Sequence, residues 1–196
     1  MKAGVRALGI AESFTDDRST LAGAVVRADR VVDGFAFGRC TVGGHDATDA
    51  VCDVITRLDR PDVRYVLVAG IAPAWFNILD LRALYDAVER PVISITFEES
   101  PGLESAIESA FDGQELTRRL ARYHAQPDRW KLDVDDETLF VRNVGCTESE
   151  AADVVRAFTP EGGRPEPLRV ARLAARGVES AFGADADPPS EPATED

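Results

Sequence analysis

Apolar positions near the start of the chain alternate with polar ones or run together briefly in three stretches: Val5 to Ala11, Leu21 to Ala28 and Arg30 to Arg39. Each reads as a β-strand, and the short Ala28-Asp29-Arg30 link predicts a tight turn, so the three form an antiparallel meander. The period then changes. From Asp46 to Leu58, apolar residues at Ala47, Ala50, Val51, Val54, Ile55 and Leu58 follow a helical repeat that ends before Pro61. Val63 to Ala69 is a fourth strand and Pro91 to Phe97 a fifth. Between them, Ile78 to Val88 carries Leu81, Leu84, Tyr85 and Val88 on one helical face.

Beyond Phe97 the pattern is mainly helical. Leu103 to Phe111 and Glu115 to His124 read as helices, followed by one short strand from near Thr138 to Val144. Thr147-Glu148-Ser149-Glu150 has the T-x-x-E form of a capping box, which satisfies free amides at a helix start and predicts a helix over Ala151 to Phe158. A last helix starts at Pro165, runs through Ala175 and stops at Gly177. From Gly183 the tail has five acids, no base and Pro188-Pro189, so residues 183–196 read as an acidic disordered tail. The order βββ-α-β-α-β predicts one α/β domain over residues 1–182. Its mixed sheet joins a three-strand antiparallel meander to parallel strands flanked by helices, the order of the ribonuclease H-like fold.

Composition narrows the picture. A chain of 196 residues with 44% hydrophobic content suits one compact core. No apolar run approaches the ~20 residues needed to span a bilayer, and the first residues lack the apolar stretch of a signal peptide. A soluble cytoplasmic protein without a membrane partner is expected. Cys40, Cys52 and Cys146 are widely spaced and odd in number, which fits buried thiols better than a disulfide framework or a zinc site.

A net charge of −13 ordinarily argues against a phosphate-rich partner. Of the 22 basic residues, however, only Lys2 and Lys131 are lysine, and the acids are spread along the chain. That profile resembles proteins of salt-loving archaea, in which surface acid reports on the solvent more than on the ligand.

Candidate chemistry gathers where strands give way to turns: Gly9 to Phe14, Gly43 to Thr48 and Ala69 to Asn77. Open α/β sheets build sites at the carboxyl ends of their strands. Glu12 follows the first strand, Asp46 opens the first helix and Asp80 opens the next. With the first and fourth strands adjacent, Glu12 comes near the Gly70 turn. Converging carboxylates of this kind bind Mg²⁺ or Mn²⁺ and support phosphodiester hydrolysis. Asp46 and Asp80 equally suit helix caps, and Asp49 suits a solvated helix face. His45 is either a phosphate contact or a plain turn residue. Trp75-Phe76-Asn77 either plugs the sheet end or faces an extruded base. Arg39, Arg82, Arg169 and Arg172 are candidate phosphate contacts, although arginine is the default base throughout this chain.

At these positions the chain resembles the archaeal endonuclease dU family, which is distantly similar to endonuclease V. The likeness rests on Gly9-Ile10 and Phe14, on Gly44 to Thr48, on Gly70-Ile71 through Phe76-Asn77 and Asp80, and on Pro165 to Ala171. It implies a ribonuclease H-like fold and metal-dependent nicking of DNA, with RNA as an open alternative, at a deaminated base such as deoxyuridine. Carried onto this sequence, it implies that Glu12, Asp46 and Asp80 hold Mg²⁺ or Mn²⁺. Trp75 and Phe76 would then pack against the base, Asn77 would belong to the same substrate-binding set, and His45 and Arg169 would contact phosphate. The chain departs from the family pattern: Ala11 stands where the strand-one motif usually has an acid, and Ala69 stands before Gly70 where Asp or Asn is frequent. Arg172 stands where histidine is frequent. These departures leave a non-catalytic nucleic-acid binder, or a small-ligand or protein-interaction module, as rival readings.

Overall fold

A computed structural model describes residues 1–15, 18–159 and 163–182. Strands β1 (Arg6–Thr15), β2 (Arg18–Arg27) and β3 (Val32–Thr41) form the expected meander. Helix α1 (Ala47–Leu58), strand β4 (Val63–Ala69), the four-residue turn α2 (Pro73–Phe76), helix α3 (Leu81–Val88) and strand β5 (Val92–Thr96) follow. Next come α4 (Glu104–Ala110), α5 (Gly113–His124), a hairpin of β6 (Trp130–Val134) and β7 (Glu137–Val144), and finally α6 (Glu148–Ala157) and α7 (Glu166–Phe182). All seven strands lie in one sheet of order β3-β2-β1-β4-β5-β7-β6, with β1, β4 and β5 mutually parallel in sequence and the remaining pairs antiparallel.

Alternation along β1 sorts the two cores. Leu8 and Ile10 join Val51, Val54, Leu81 and Leu84 on the side covered by α1 and α3. Ala7 and Ala11 face the opposite side, where α7 crosses β1 and β2. The residues on that side are small because the helix lies almost on the backbone. A β-carbon on Gly9 would stand 2.2 Å from the Pro167 carbonyl carbon, so any side chain there displaces α7. Leu168, fully buried one turn into that helix, contributes about 1.5–3 kcal/mol by leaving water.

The structure corrects several expected boundaries. β1 and β2 continue to Thr15 and Arg18, which pair with each other. β3 starts at Val32 because Arg30 adopts a left-handed turn conformation, φ 72°. The helix expected from Ile78 starts at Leu81, and residues 73–76 make the separate turn α2. One strand was expected before α6, whereas β6 and β7 form a hairpin there. The last helix does not stop at Gly177: it passes through and ends at Phe182. An exposed helical glycine costs only ~1 kcal/mol, and α7 is held on its far side by Thr20 Oγ1 donating to Glu179 at 2.5 Å. The tail expected to be disordered, 183–196, lies outside the described residues. No helix among the described residues is long and apolar enough to cross a membrane.

Candidate nucleic-acid interface at the strand ends

The end of β1 presents two chemically opposite faces. Glu12, half-buried on the α1 side, accepts a 2.6 Å hydrogen bond from Ser19 Oγ on β2. Nearby, burial first and then the Asp46 and Glu12 carboxylates push the Cys40 thiol up to about 12. The thiol is therefore neutral and inert. On the other face Ala11 packs with Ala24, Val26 and Ala171, and Ala69 and Val170 lie against them. Ala11 and Ala69, two of the departures noted in the sequence, are thus methyl groups in one apolar cluster.

Glu12, Asp46 and Asp80 do not form one three-carboxylate group, although Glu12 and Asp46 both lie close enough to Cys40 to act on its thiol. Asp46 organises the loop before α1, accepting from Thr41 N–H (3.2 Å), Thr41 Oγ1 (2.9 Å) and Asn77 Nδ2 (2.6 Å). Partial burial raises its pKa, but the bonds from Asn77 and Thr41 outweigh that and hold the carboxyl below its ordinary value. Asn77 is fully buried. It donates to Thr41 O and accepts from Ala47 N–H, both at 2.9 Å, so it fastens the β3–α1 loop to the segment after α2. Asp80 caps α3, accepting from the Arg82 and Ala83 amides at 3.1 and 3.0 Å. Among the described residues, no group of three or more His, Cys, Asp or Glu is placed to hold a metal ion.

The remaining expected residues are distributed differently. His45 bonds Glu115 (2.8 Å) and Arg119 (3.0 Å), and Arg119 is itself buried over the Phe111 ring. Arg169 makes two bonds to Glu166, at 2.7 and 2.6 Å, so its guanidinium is already engaged. Trp75 is half-exposed and belongs to a ring cluster with Phe76 and Phe111. Its backbone is unusual. Ala74, Trp75 and Phe76 all have positive φ (47°, 53°, 60°), a conformation costing about 1–2 kcal/mol per residue outside glycine. Gly43 N–H donating to Ala74 O at 2.7 Å helps to hold this turn, and Gly43 itself is left-handed beneath the Trp75 ring.

Beside the Ala69 cluster lies a feature the sequence reading did not assemble. A cavity of about 240 Å³ at the ends of β4 and β5 is lined by Ala69, Gly70, Ser94, Thr96, Arg129 and Arg142, among others. Past Thr96 and Glu98 the depression continues to Arg164 and Arg172, and from there to Arg176 on α7. Arg129 lies flat over Phe140, 4.0 Å from the ring centroid, and donates only to neutral oxygens of Thr96, Glu98 and Ser100. Arg142 lies over Tyr123 and donates to the Pro127 carbonyl. Arg164 lies over Phe97 at 4.2 Å. Burial and then the neighbouring charge of Arg142 push the Arg129 pKa down, and burial followed by Arg172 and Arg176 does the same to Arg164. Among the described residues, none of these five guanidiniums forms an ion pair with a carboxylate. In sequence the one visible trace was Arg169, Arg172 and Arg176 at helical spacing; Arg129, Arg142 and Arg164 come from elements far apart.

Comparison with known proteins places this geometry. A UPF0215 protein of Pyrobaculum calidifontis is 34% identical over 174 residues, covering 87% of this chain and 95% of its own. A crystal structure of a protein of unknown function from Archaeoglobus fulgidus superimposes with a TM-score of 0.79 at 25% identity, covering 89% of this chain and 98% of its own. Endonuclease V of Ciona intestinalis, crystallised with a 24mer DNA containing an inosine followed by a ribo-adenosine, shares the fold with a TM-score of 0.59 at 13% identity. That match covers 90% of this chain and 86% of the other. The sheet order is thus ribonuclease H-like, as expected. The family model described as Endonuclease dU matches residues 3–179, and the chain belongs to that family.

Proposed function

We propose that the protein binds nucleic acid along the arginine-lined depression at the ends of β4 and β5, and that it does so without a metal ion at the Ala11 and Ala69 positions. Family membership supports a nuclease-like function. Such a function has two parts, holding the strand and supplying a cation for hydrolysis. The observation that carries the first is the run of Arg129, Arg142, Arg164, Arg172 and Arg176 in a chain of net charge −13. Grouping like charges without carboxylate partners is unfavourable for the protein alone, and phosphate oxygens relieve it through planar guanidinium contacts. The second part does not fit the residues present. A divalent cation needs convergent hard oxygens, and the strand end offers methyl groups there, while Glu12, Asp46 and Asp80 are each bonded elsewhere. Half-exposed Trp75, on its strained turn, supports a stacking contact with an unpaired base.

The second reading, metal-dependent cleavage at a deaminated base such as deoxyuridine, is favoured by the family description and draws on Glu12. One assay separates the two: oligonucleotides containing uracil or hypoxanthine, in molar KCl, with Mg²⁺ or Mn²⁺ or with chelator. Binding is expected to be insensitive to chelation and no nicks to form. R172Q/R176Q is expected to weaken binding ~10-fold or more and to flatten its salt dependence, since each phosphate contact contributes ~0.7–0.9 to the slope of log K on log salt. Metal-dependent nicking abolished by Glu12→Gln would establish the second reading instead.

A further inference from the structure

The two edges of the sheet are built differently. β6 is a five-residue edge carrying exposed Lys131 and Asp133, the kind of short, charged strand that resists pairing with another chain. β3 is ten residues long, and its centre, Gly34-Phe35-Ala36-Phe37-Gly38, has no charge and no proline. Phe35 and Phe37 are 47% and 39% exposed. Their rings stack on each other with centroids 6.2 Å apart and planes 14° from parallel. They pair with Ala24 and Ala22 of β2, and Ala24 packs toward α7, so both rings stand on the α7 side beside that helix. A long apolar edge strand leaves a row of backbone donors and acceptors open along its outer side.

From Gly34 to Gly38 the sequence of this edge reads the same in both directions. From Asp33 to Arg39 it is Asp-Gly-Phe-Ala-Phe-Gly-Arg, with an acid at one end and a base at the other. Laid antiparallel against its own copy with Ala36 on the two-fold axis, Phe35 faces Phe37 and Gly34 faces Gly38, twice each; the register breaks at Asp33, where β3 bulges. Parallel alignment instead puts like charge on like. We propose that the protein forms a two-fold dimer through antiparallel β3–β3 pairing in this register, which joins the two sheets edge to edge. Asp33, at the bulge that ends this paired stretch, is held on the α1 side by Arg6 at 2.7 Å and Arg60 at 3.7 Å, so the pairing rests on the uncharged centre of the strand, where the four phenylalanines carry the apolar burial. This inference stands apart from the nucleic-acid reading: it concerns the opposite edge of the sheet from β6 and needs neither the arginines nor Trp75.

The test is sedimentation of the full chain in molar KCl from ~1 to ~100 μM, comparing two double variants that remove the same rings. F35K/F37K sets base opposite base and is expected to weaken association ~100-fold. F35E/F37K sets acid opposite base on both sides of the axis and is expected to remain within ~10-fold of wild type. Both changes are at exposed positions, and circular dichroism checks that each variant is folded. Ala36→Cys gives a measurement independent of stability. Facing residues in an antiparallel pair lie ~4.5–5.5 Å apart at Cα, within disulfide reach, so oxidation is expected to link two chains through that position. A wild-type monomer throughout the range, equal association by the two doubles, or absence of the cross-link through position 36 overturns the proposal.

Discussion

Asn77 and Arg142 both sit in the margin of the sheet's carboxyl end, yet their polar atoms meet opposite fates. Asn77 is fully buried and uses its amide in three directions, toward Thr41, Asp46 and Ala47. Arg142 has one carbonyl partner and another guanidinium, Arg129, as its charged neighbour. A buried polar group with its bonds made is part of the fold. A cluster of like charges whose nearest acids, Glu98 and Glu99, form no ion pair with it keeps its guanidiniums open to an anion. The contrast shifts weight from the Asp46–Asn77 side, where family resemblance pointed, to the arginine side.

The comparison breaks most decisively at Asn77. Asn77→Leu leaves the Ala47 amide without its partner and takes one bond each from Thr41 O and Asp46, which keep others, and is expected to cost about 3 kcal/mol, given ~1–3 kcal/mol for a buried group left unsatisfied and ~1 kcal/mol for each further bond lost. Denaturant titration in molar KCl measures it. R172Q/R176Q, by contrast, is expected to leave stability within about 0.5 kcal/mol of wild type while binding falls, since neither side chain forms an ion pair among the described residues. If Asn77→Leu is as mild as the arginine changes, its bonds are incidental and the contrast is lost.

Salt sharpens the same contrast at the scale of the whole surface. With a net charge of −13, self-repulsion is expected to lower the thermal midpoint by several degrees when molar KCl is replaced by dilute buffer, corresponding to ~1–2 kcal/mol. The arginine depression should bind oligonucleotides more tightly over the same change. A midpoint independent of salt would detach the acidic composition from solvent adaptation.

How much of this was legible beforehand follows from which residues needed a distant partner to be understood. The meander, the parallel strands and the capping box at Thr147, whose hydroxyl accepts from Glu150 N–H at 3.2 Å, are local patterns, and they were readable. β6 was overlooked although Trp130, Leu132 and Val134 alternate, because Lys131, Asp133 and the following acids masked a short edge strand. The turn at Ala74–Phe76 was hidden for another reason: nothing in Ala-Trp-Phe announces three left-handed residues, which persist through contacts from the Gly43 loop. At the site, Asp80 as a cap was one of two open readings, and two amides of its own helix bond to it. Asp46 and Asn77 are 31 residues apart, and their bond depends on how β3 and β4 are spaced by β2 and β1. Ala11 and Ala69 were flagged as departures from the family pattern, but only the packing of Ala171 against them turns two absences into an apolar cluster.

The smallest effect concerns Asp46 itself and carries the contrast to the level of one proton. Its folded pKa lies below the ordinary value because, although burial raises it, hydrogen bonds from Asn77 and Thr41 lower it more. Between the folded pKa and the unfolded value near ~3.9, the unfolded chain binds the proton and the folded one does not, so stability rises with pH. The contribution is complete above the unfolded pKa and is lost as pH falls through the folded one. Partial exposure and molar salt keep it under about 1 kcal/mol. Asp62, held down to about 2 by its bonds from Arg60, titrates in the same acid region, so the effect is read as a difference between two proteins that both retain it. Asp46→Asn is therefore expected to flatten the acid limb of the stability curve while leaving nucleic-acid affinity at neutral pH unchanged. A loss of affinity in that variant would return Asp46 from the scaffold to the binding surface.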